Sequence, residues 1–228
     1  MVEEKKALLL DMNSTFMFGE DRFSEHEDYS KYYNSIGGAL PKIVVNGIIN
    51  DVVEYLGKLY PSEEYRHKFP SVEKAIGMVF DRNLTTSEVE KIVGTFSYHE
   101  HGYIPPAYLK TLFKLEKRYK LAAVIDIWAP KDRWVETFEK HGIRDLFSAL
   151  SFSSDHGMVK PSPKPFELVV KKLGLTKEQC LVVGDSIRRD LGGAKSAGID
   201  CVLVGGASDL DAVATYSDLL EFCEQNGN

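Results

Sequence analysis

The chain predicts an α/β fold, a Rossmann-like parallel sheet core with an α-helical block inserted into it. Two observations predict the sheet. Short apolar runs alternate with helix-like stretches through the second half, and several of those runs end in a carboxylate. A third observation predicts the insertion: residues from about 20 to 100 carry helical periodicity with no strand signal between them. A strand–helix alternation implies right-handed crossovers and a parallel sheet covered on both faces.

The elements follow in order. Lys6 to Asp11 (KALLLD) is too short for a helix and apolar on both faces, so it reads as a buried strand. Val45, Ile48, Ile49, Val52, Val53, Leu56 and Leu59 recur at i, i+3, i+4 and i+7, which makes one amphipathic helix. Thr85-Thr86-Ser87-Glu88 is a capping box ahead of Val89, Ile92, Val93 and Phe96, which marks a second. Ser24 to Ile36 and Val72 to Phe80 complete a four-helix block. LAAVI (121–125) is a strand followed by a helix from near Pro130 to Gly142. SALSF (148–152) is followed by a helix entered through Pro163 and Pro165 and stopped by Gly174. CLVVG (180–184) leads to a helix closed by Gly198, and CVLVG (201–205) is the last strand. Proline at the start and glycine just past the end is the polarity of a helix.

Composition narrows the function. With 228 residues the chain can bury about 70% of its extended surface, enough for one domain and a large insertion. The 34 acidic against 28 basic side chains give a net charge of -6, which argues against a nucleic-acid partner. No apolar run approaches the roughly 18 residues of a membrane span, and Glu3, Glu4, Lys5 and Lys6 leave no room for a secretory signal. Cys180, Cys201 and Cys223 are odd in number without CxxC spacing, so a reducing cytoplasm is expected. His99-Glu100-His101 has i, i+2 spacing, which reads as surface or packing and not as a metal site.

Ligands of open parallel sheets sit beyond the carboxyl ends of the strands. The residues there are Asp11, Asp126 and Asp185, with Lys160 in the loop after SALSF and Asp190 one turn beyond Asp185. Clustered carboxylates repel unless a cation joins them, and hard oxygen ligands suit Mg²⁺ sharing its shell with a substrate phosphate. A lysine neutralises the remaining phosphate oxygens, and one carboxylate can serve as a nucleophile. The set points to phosphoryl transfer.

Asp11-Met-Asn-Ser-Thr15, Lys160-Pro-Ser-Pro-Lys-Pro-Phe166 and Gly184-Asp-Ser-Ile-Arg-Arg-Asp190 resemble motifs one, three and four of the haloacid dehalogenase superfamily. The helical block resembles that superfamily's type-one cap. The resemblance implies a core at 1–19 and 100–228 and a cap domain at 20–99. It also implies a cytoplasmic Mg²⁺-dependent hydrolase acting on a small phosphorylated metabolite through an aspartyl-phosphate. By it, Asp11 is the nucleophile and a Mg²⁺ ligand, the Asn13 carbonyl and Asp185 are further ligands, and Asp190 completes the acidic cluster. Lys160 and the Ile127 N–H bind phosphate, and Tyr29, Tyr32 and Tyr33 are candidates for specificity or for plain packing.

Two departures stand out. The superfamily's phosphatases carry an acid/base aspartate where this chain has Asn13, and losing such help costs roughly 10²–10⁴ in rate. They carry Ser or Thr where this chain has Asp126, an extra charge worth about 4 kcal/mol of repulsion at 4 Å and an effective dielectric near 20. Asp126 is therefore expected to hold a proton, to turn toward a basic group, or to take over the proton transfer that Asn13 cannot perform. The alternative is a silent member that binds a phospho-ligand or a protein. Carbon–halogen hydrolysis needs no metal, and a dinucleotide fold needs a glycine-rich first turn; neither fits the residues as well.

Overall fold

The computed structural model describes residues 4–81 and 83–227. Glu3 and the two ends of the expected core therefore lie outside the described residues. Strand β1 (Ala7–Leu10) is buried throughout, as a run apolar on both faces requires. Helices α1 (Ser30–Ser35), α2 (Lys42–Leu59), α3 (Val72–Val79) and α4 (Thr86–Glu100) follow. Then come α5 (Pro106–Glu116), β2 (Lys120–Ile125), α6 (Asp132–Lys140), β3 (Phe147–Phe152), a single turn α7 (Ser153–His156), and α8 (Lys164–Leu173). The chain ends in β4 (Cys180–Gly184), a π-turn at Ile187–Leu191, α9 (Gly192–Ala197), β5 (Asp200–Leu203), β6 (Ala214–Thr215) and α10 (Leu219–Asn226).

All six strands are parallel in the order β3-β2-β1-β4-β5-β6, the order of a doubly wound sheet. Alternation along β1 divides the core in two. Leu8 and Leu10 join the larger apolar cluster with Leu121, Ala123, Trp134, Phe138 and the inserted helices. Ala7 and Leu9 face the other way, against Phe166 and Val169 of α8 and Ala194 of α9. The α2 stripe buries Val45, Ile48, Ile49, Val52 and Leu56, each worth about 1.5–3 kcal/mol by area. The capping box of α4 is formed: Thr85 Oγ1 accepts the Glu88 N–H at 3.2 Å, and Glu88 accepts the Thr85 N–H at 2.7 Å.

Three differences from the sequence reading have local causes. The helix expected from Ser24 is confined to Ser30–Ser35, because the Tyr29 hydroxyl takes both backbone groups of Ser24, at 3.0 and 3.1 Å. Helix α5 was not anticipated, although Pro106 stands at its N1 position. The stretch before Gly198 is a π-turn running into α9, and the two-residue β6 adds a sixth strand. Among the described residues, no helix is long and apolar enough to cross a membrane.

Candidate active site

Strand β1 pairs with β2 on one side and β4 on the other, with Leu10 opposite Ala123 and Val183. The three carboxyl ends therefore open at one edge, and the residues just beyond them are Asp11, Asp126 and Asp185. Asp11 is 5% exposed, and its N–H donates to Val183 O at 2.9 Å. The π-turn after β4 carries Asp190 back beneath the strand end, where it is 1% exposed. That approach needs Gly184: a Cβ there would stand 2.4 Å from Asp190 Cγ.

Lys160 is the centre of the floor. It is 1% exposed, and its Nζ donates to Asp11 Oδ1 at 2.5 Å and to Asp190 Oδ1 at 2.7 Å. Burial alone would lower its pKa, but Asp11, Asp190 and Asp126 together hold it above the usual lysine range. Asp11 is pushed up to about 7, by burial first and then by Asp190, against the opposing pull of Lys160. Asp185 is also raised, by burial and then by Asp190. Asp11, Asp185 and Asp190 each offer one oxygen, all within 4.8 Å of one another. The buried Asp185 Oδ1 has no hydrogen-bond partner, and its approach to Arg189 is 3.8 Å. Crowded oxygens with one left unpaired form a donor set that fits a hard divalent cation.

The remaining expected residues are placed differently. Asp126 Oδ2 accepts from the Tyr60 hydroxyl at 2.7 Å and from the Lys160 N–H at 2.9 Å, and burial raises its pKa. Of the expected outcomes, the raised pKa is found. The turn is toward a phenol and a peptide N–H, not toward a basic side chain. The Ile127 N–H donates to Ser153 Oγ at 2.9 Å, and that hydroxyl donates back to Ile127 O at 2.7 Å. This N–H is thus already spent, and it meets a phosphate only if the Ser153 bond breaks. Asn13 lies at the mouth of the site with its buried Oδ1 unpaired.

A cleft of about 250 Å³ opens beside this floor, between the sheet edge and the inserted helices. Tyr29 and Tyr33 are fully buried, and Tyr32 stacks on Tyr98 at 3.9 Å beneath Arg133, so packing is their role. The cleft is walled by Tyr60, Val53, Phe23, Trp128 and Arg189. Tyr60 could have been found in the sequence, since it continues the α2 stripe four residues past Leu56 and adds a hydroxyl. Arg189 stands inside the quoted GDSIRRD segment. The His-Glu-His triplet conceals Glu100, which is 4% exposed and lines the cleft while accepting N–H groups from Trp128 at 2.6 Å and Ala129 at 2.9 Å. Burial lifts it to about 8 despite those two bonds.

The geometry agrees with comparisons to known proteins. The family model described as haloacid dehalogenase-like hydrolase matches residues 5–198. The glyceraldehyde 3-phosphate phosphatase of Methanopyrus kandleri is 28% identical over 87% of this chain and 83% of its own length. A HAD phosphatase from Thermococcus onnurineus superposes with a TM-score of 0.63 at 22% identity, covering 96% of this chain and 97% of that one. A 2-haloacid dehalogenase from Pseudomonas syringae pv. Tomato DC3000 superposes at 0.62 and 20% identity, with the same coverage of 96% and 97%. An acid–lysine–acid floor at the carboxyl edge of a parallel sheet, matched over most of its length by that family, makes this chain a member of the haloacid dehalogenase-like hydrolases.

Proposed function

We propose that the chain is a Mg²⁺-dependent phosphatase of a small phosphorylated metabolite, working through an aspartyl-phosphate at Asp11. The observation that carries this reading is the buried Lys160 holding Asp11 and Asp190, with Asp185 close by. Asp11, Asp185, Asp190 and the Asn13 carbonyl would hold the cation. When bound, it neutralises the carboxylates and the incoming phosphate. Residues 20–99 act as the cap that closes over the ester, on a core formed by 1–19 and 100–228.

The steps for the chain's own residues follow. The Asp11 carboxylate attacks phosphorus, its oxygen–phosphorus bond forms, and the ester oxygen departs while Lys160 offsets the charge on the transferring group. The departing oxygen needs a proton that Asn13 cannot give. Asp126 supplies it: both of its hydrogen bonds fall on Oδ2, which leaves Oδ1 for the proton, and burial favours the neutral acid. Water then attacks the aspartyl-phosphate with Asp126 as base, releasing phosphate and restoring Asp11.

The test is Mg²⁺-dependent phosphate release from a panel of esters, with Asp11→Asn as the blank. Turnover above the blank that disappears with chelator supports the reading, and a panel-wide rate equal to the blank overturns it. If Asp126→Ser leaves turnover unchanged, the proton role of Asp126 is wrong. A second reading, a catalytically silent member that keeps the fold, is favoured by Asn13 and by the spent N–H of Ile127.

A further inference from the structure

The cleft beside the catalytic floor has a consistent chemistry. Two groups that face it have acceptor capacity left over. Asn13 Oδ1 is buried without a donor. The Asp21 carboxylate makes no hydrogen bond or ion pair within the described residues, and its backbone sits in the left-handed region at φ 54. For a non-glycine residue that conformation costs on the order of 1 kcal/mol, and such strain clusters at ligand clamps. The Asp21 N–H donates to Glu100 O at 3.2 Å, which fixes the turn that brings the carboxylate to the cleft.

The remaining walls are aromatic. The rings of Tyr60 and Trp128 meet at 64° with centroids 5.7 Å apart, like adjoining sides of a box. Phe23 closes a third side, joined to Trp128 through Phe96 at 4.7 and 6.4 Å. Ring faces carry the negative end of a quadrupole and attract cations, the more so out of water. The single cation at the cleft, among the described residues lining it, is Arg189. It stands 3.8 Å from Asp185 and beside the Tyr60 hydroxyl.

We infer that this cleft receives a primary ammonium group on the alcohol side of the ester, so that the substrate class is a short aminoalkyl phosphate. The inference rests on the phosphatase reading and names its substrate class. An ammonium brings three donors and a positive charge, matching the unpaired amide oxygen, the free carboxylate and the ring faces. A carboxylate in the same place meets the Asp21 carboxylate and the Asn13 oxygen with Arg189 alone to offset them, which is how a pocket gains specificity against a near neighbour. The volume of about 250 Å³ lies below the usual ≈ 300–1,000 Å³ of ligand pockets and so limits the alcohol to a few heavy atoms.

Two measurements separate this inference from the reading beneath it. In the first, calorimetry with Mg²⁺ compares 2-aminoethylphosphonate and phosphonoacetate, which resist phosphatase cleavage, on the unmodified protein. The expected result is at least about tenfold tighter binding of the amine, falling severalfold in Asp21→Asn. Equal or reversed affinities overturn the inference whatever the catalytic outcome. In the second, kcat/KM is ranked for phosphoethanolamine, glycerol 3-phosphate and phosphoglycolate, and the amine is expected first and the acid last. Hydrolysis without that ranking overturns the ammonium pocket and leaves the phosphatase standing. Amine-selective binding with no hydrolysis of any ester does the reverse.

Discussion

The floor of the site and the wall of the cleft both hold buried acids, yet they satisfy them by opposite means. On the floor, Asp11 and Asp190 share one buried ammonium, at 2.5 and 2.7 Å. On the wall, Asp126 and Glu100 meet neutral donors, a phenol and three peptide N–H groups. On the floor the Lys160 ammonium pulls Asp11 toward its ionised form, against burial and Asp190, which together push it up to about 7. An acid held by neutral dipoles in a buried place drifts toward its protonated form. The floor thus offsets its acids with a buried charge, and the wall with neutral dipoles that suit it to carry a proton.

The contrast is sharpened first at Asn13. Asn13→Asp places an ionisable group beside Asp11, the proposed nucleophile, and turnover of an unactivated alkyl phosphate should rise by about 10²–10⁴-fold. Steady-state kcat on glycerol 3-phosphate reads the gain; no gain would mean that Asp126 already does that work in full. Next in size is Lys160→Met, which strands two buried carboxylates. Removing one partner of a buried ion pair costs about 3–5 kcal/mol, so urea denaturation in chelator should show a loss of that order.

An effect of similar size, spread over several pH units, belongs to Glu100. Its folded pKa of about 8 lies above the ordinary value of 4.5, so the folded state binds the extra proton. The stability from that proton is complete below about pH 4.5 and is lost as pH rises through about 8. The slope is at most about 1.4 kcal/mol per pH unit. The difference in unfolding free energy between the parent and Glu100→Gln, followed from pH 5 to 8, should carry this slope, and a flat difference would refute it. Smallest is Tyr60→Phe, which removes one donor from Asp126 and should cost about 0.5–1.5 kcal/mol by the same denaturation assay.

The floor was legible in the sequence because topology assembles it. A residue that ends a central parallel strand must stand at the carboxyl edge, so Asp11, Asp126 and Asp185 could be placed without coordinates. Most of the wall was not legible: beyond Asp126 at a strand end and Tyr60 on the α2 stripe, its parts come from distant turns with no shared period. Tyr60 caps one helix, Glu100 ends another, and Asp21 sits in a left-handed turn that no side-chain pattern announces. Tyr29, Tyr32 and Tyr33 show the converse. Aromatic residues on a helix suggest a pocket, but here the apolar interior and a stack with Tyr98 claim them. Helix α5 escaped notice because its apolar stripe is short, despite the proline at its start.

The last residue of α4 touches two consecutive amides on the strand-end loop after β2. One rigid rod thus runs from the inserted helices to the lip of the catalytic edge. Any swing of those helices must tug on this clasp or first release it. The exchange of the Trp128 and Ala129 amide hydrogens with deuterium would then act as a clock for how often this clasp opens.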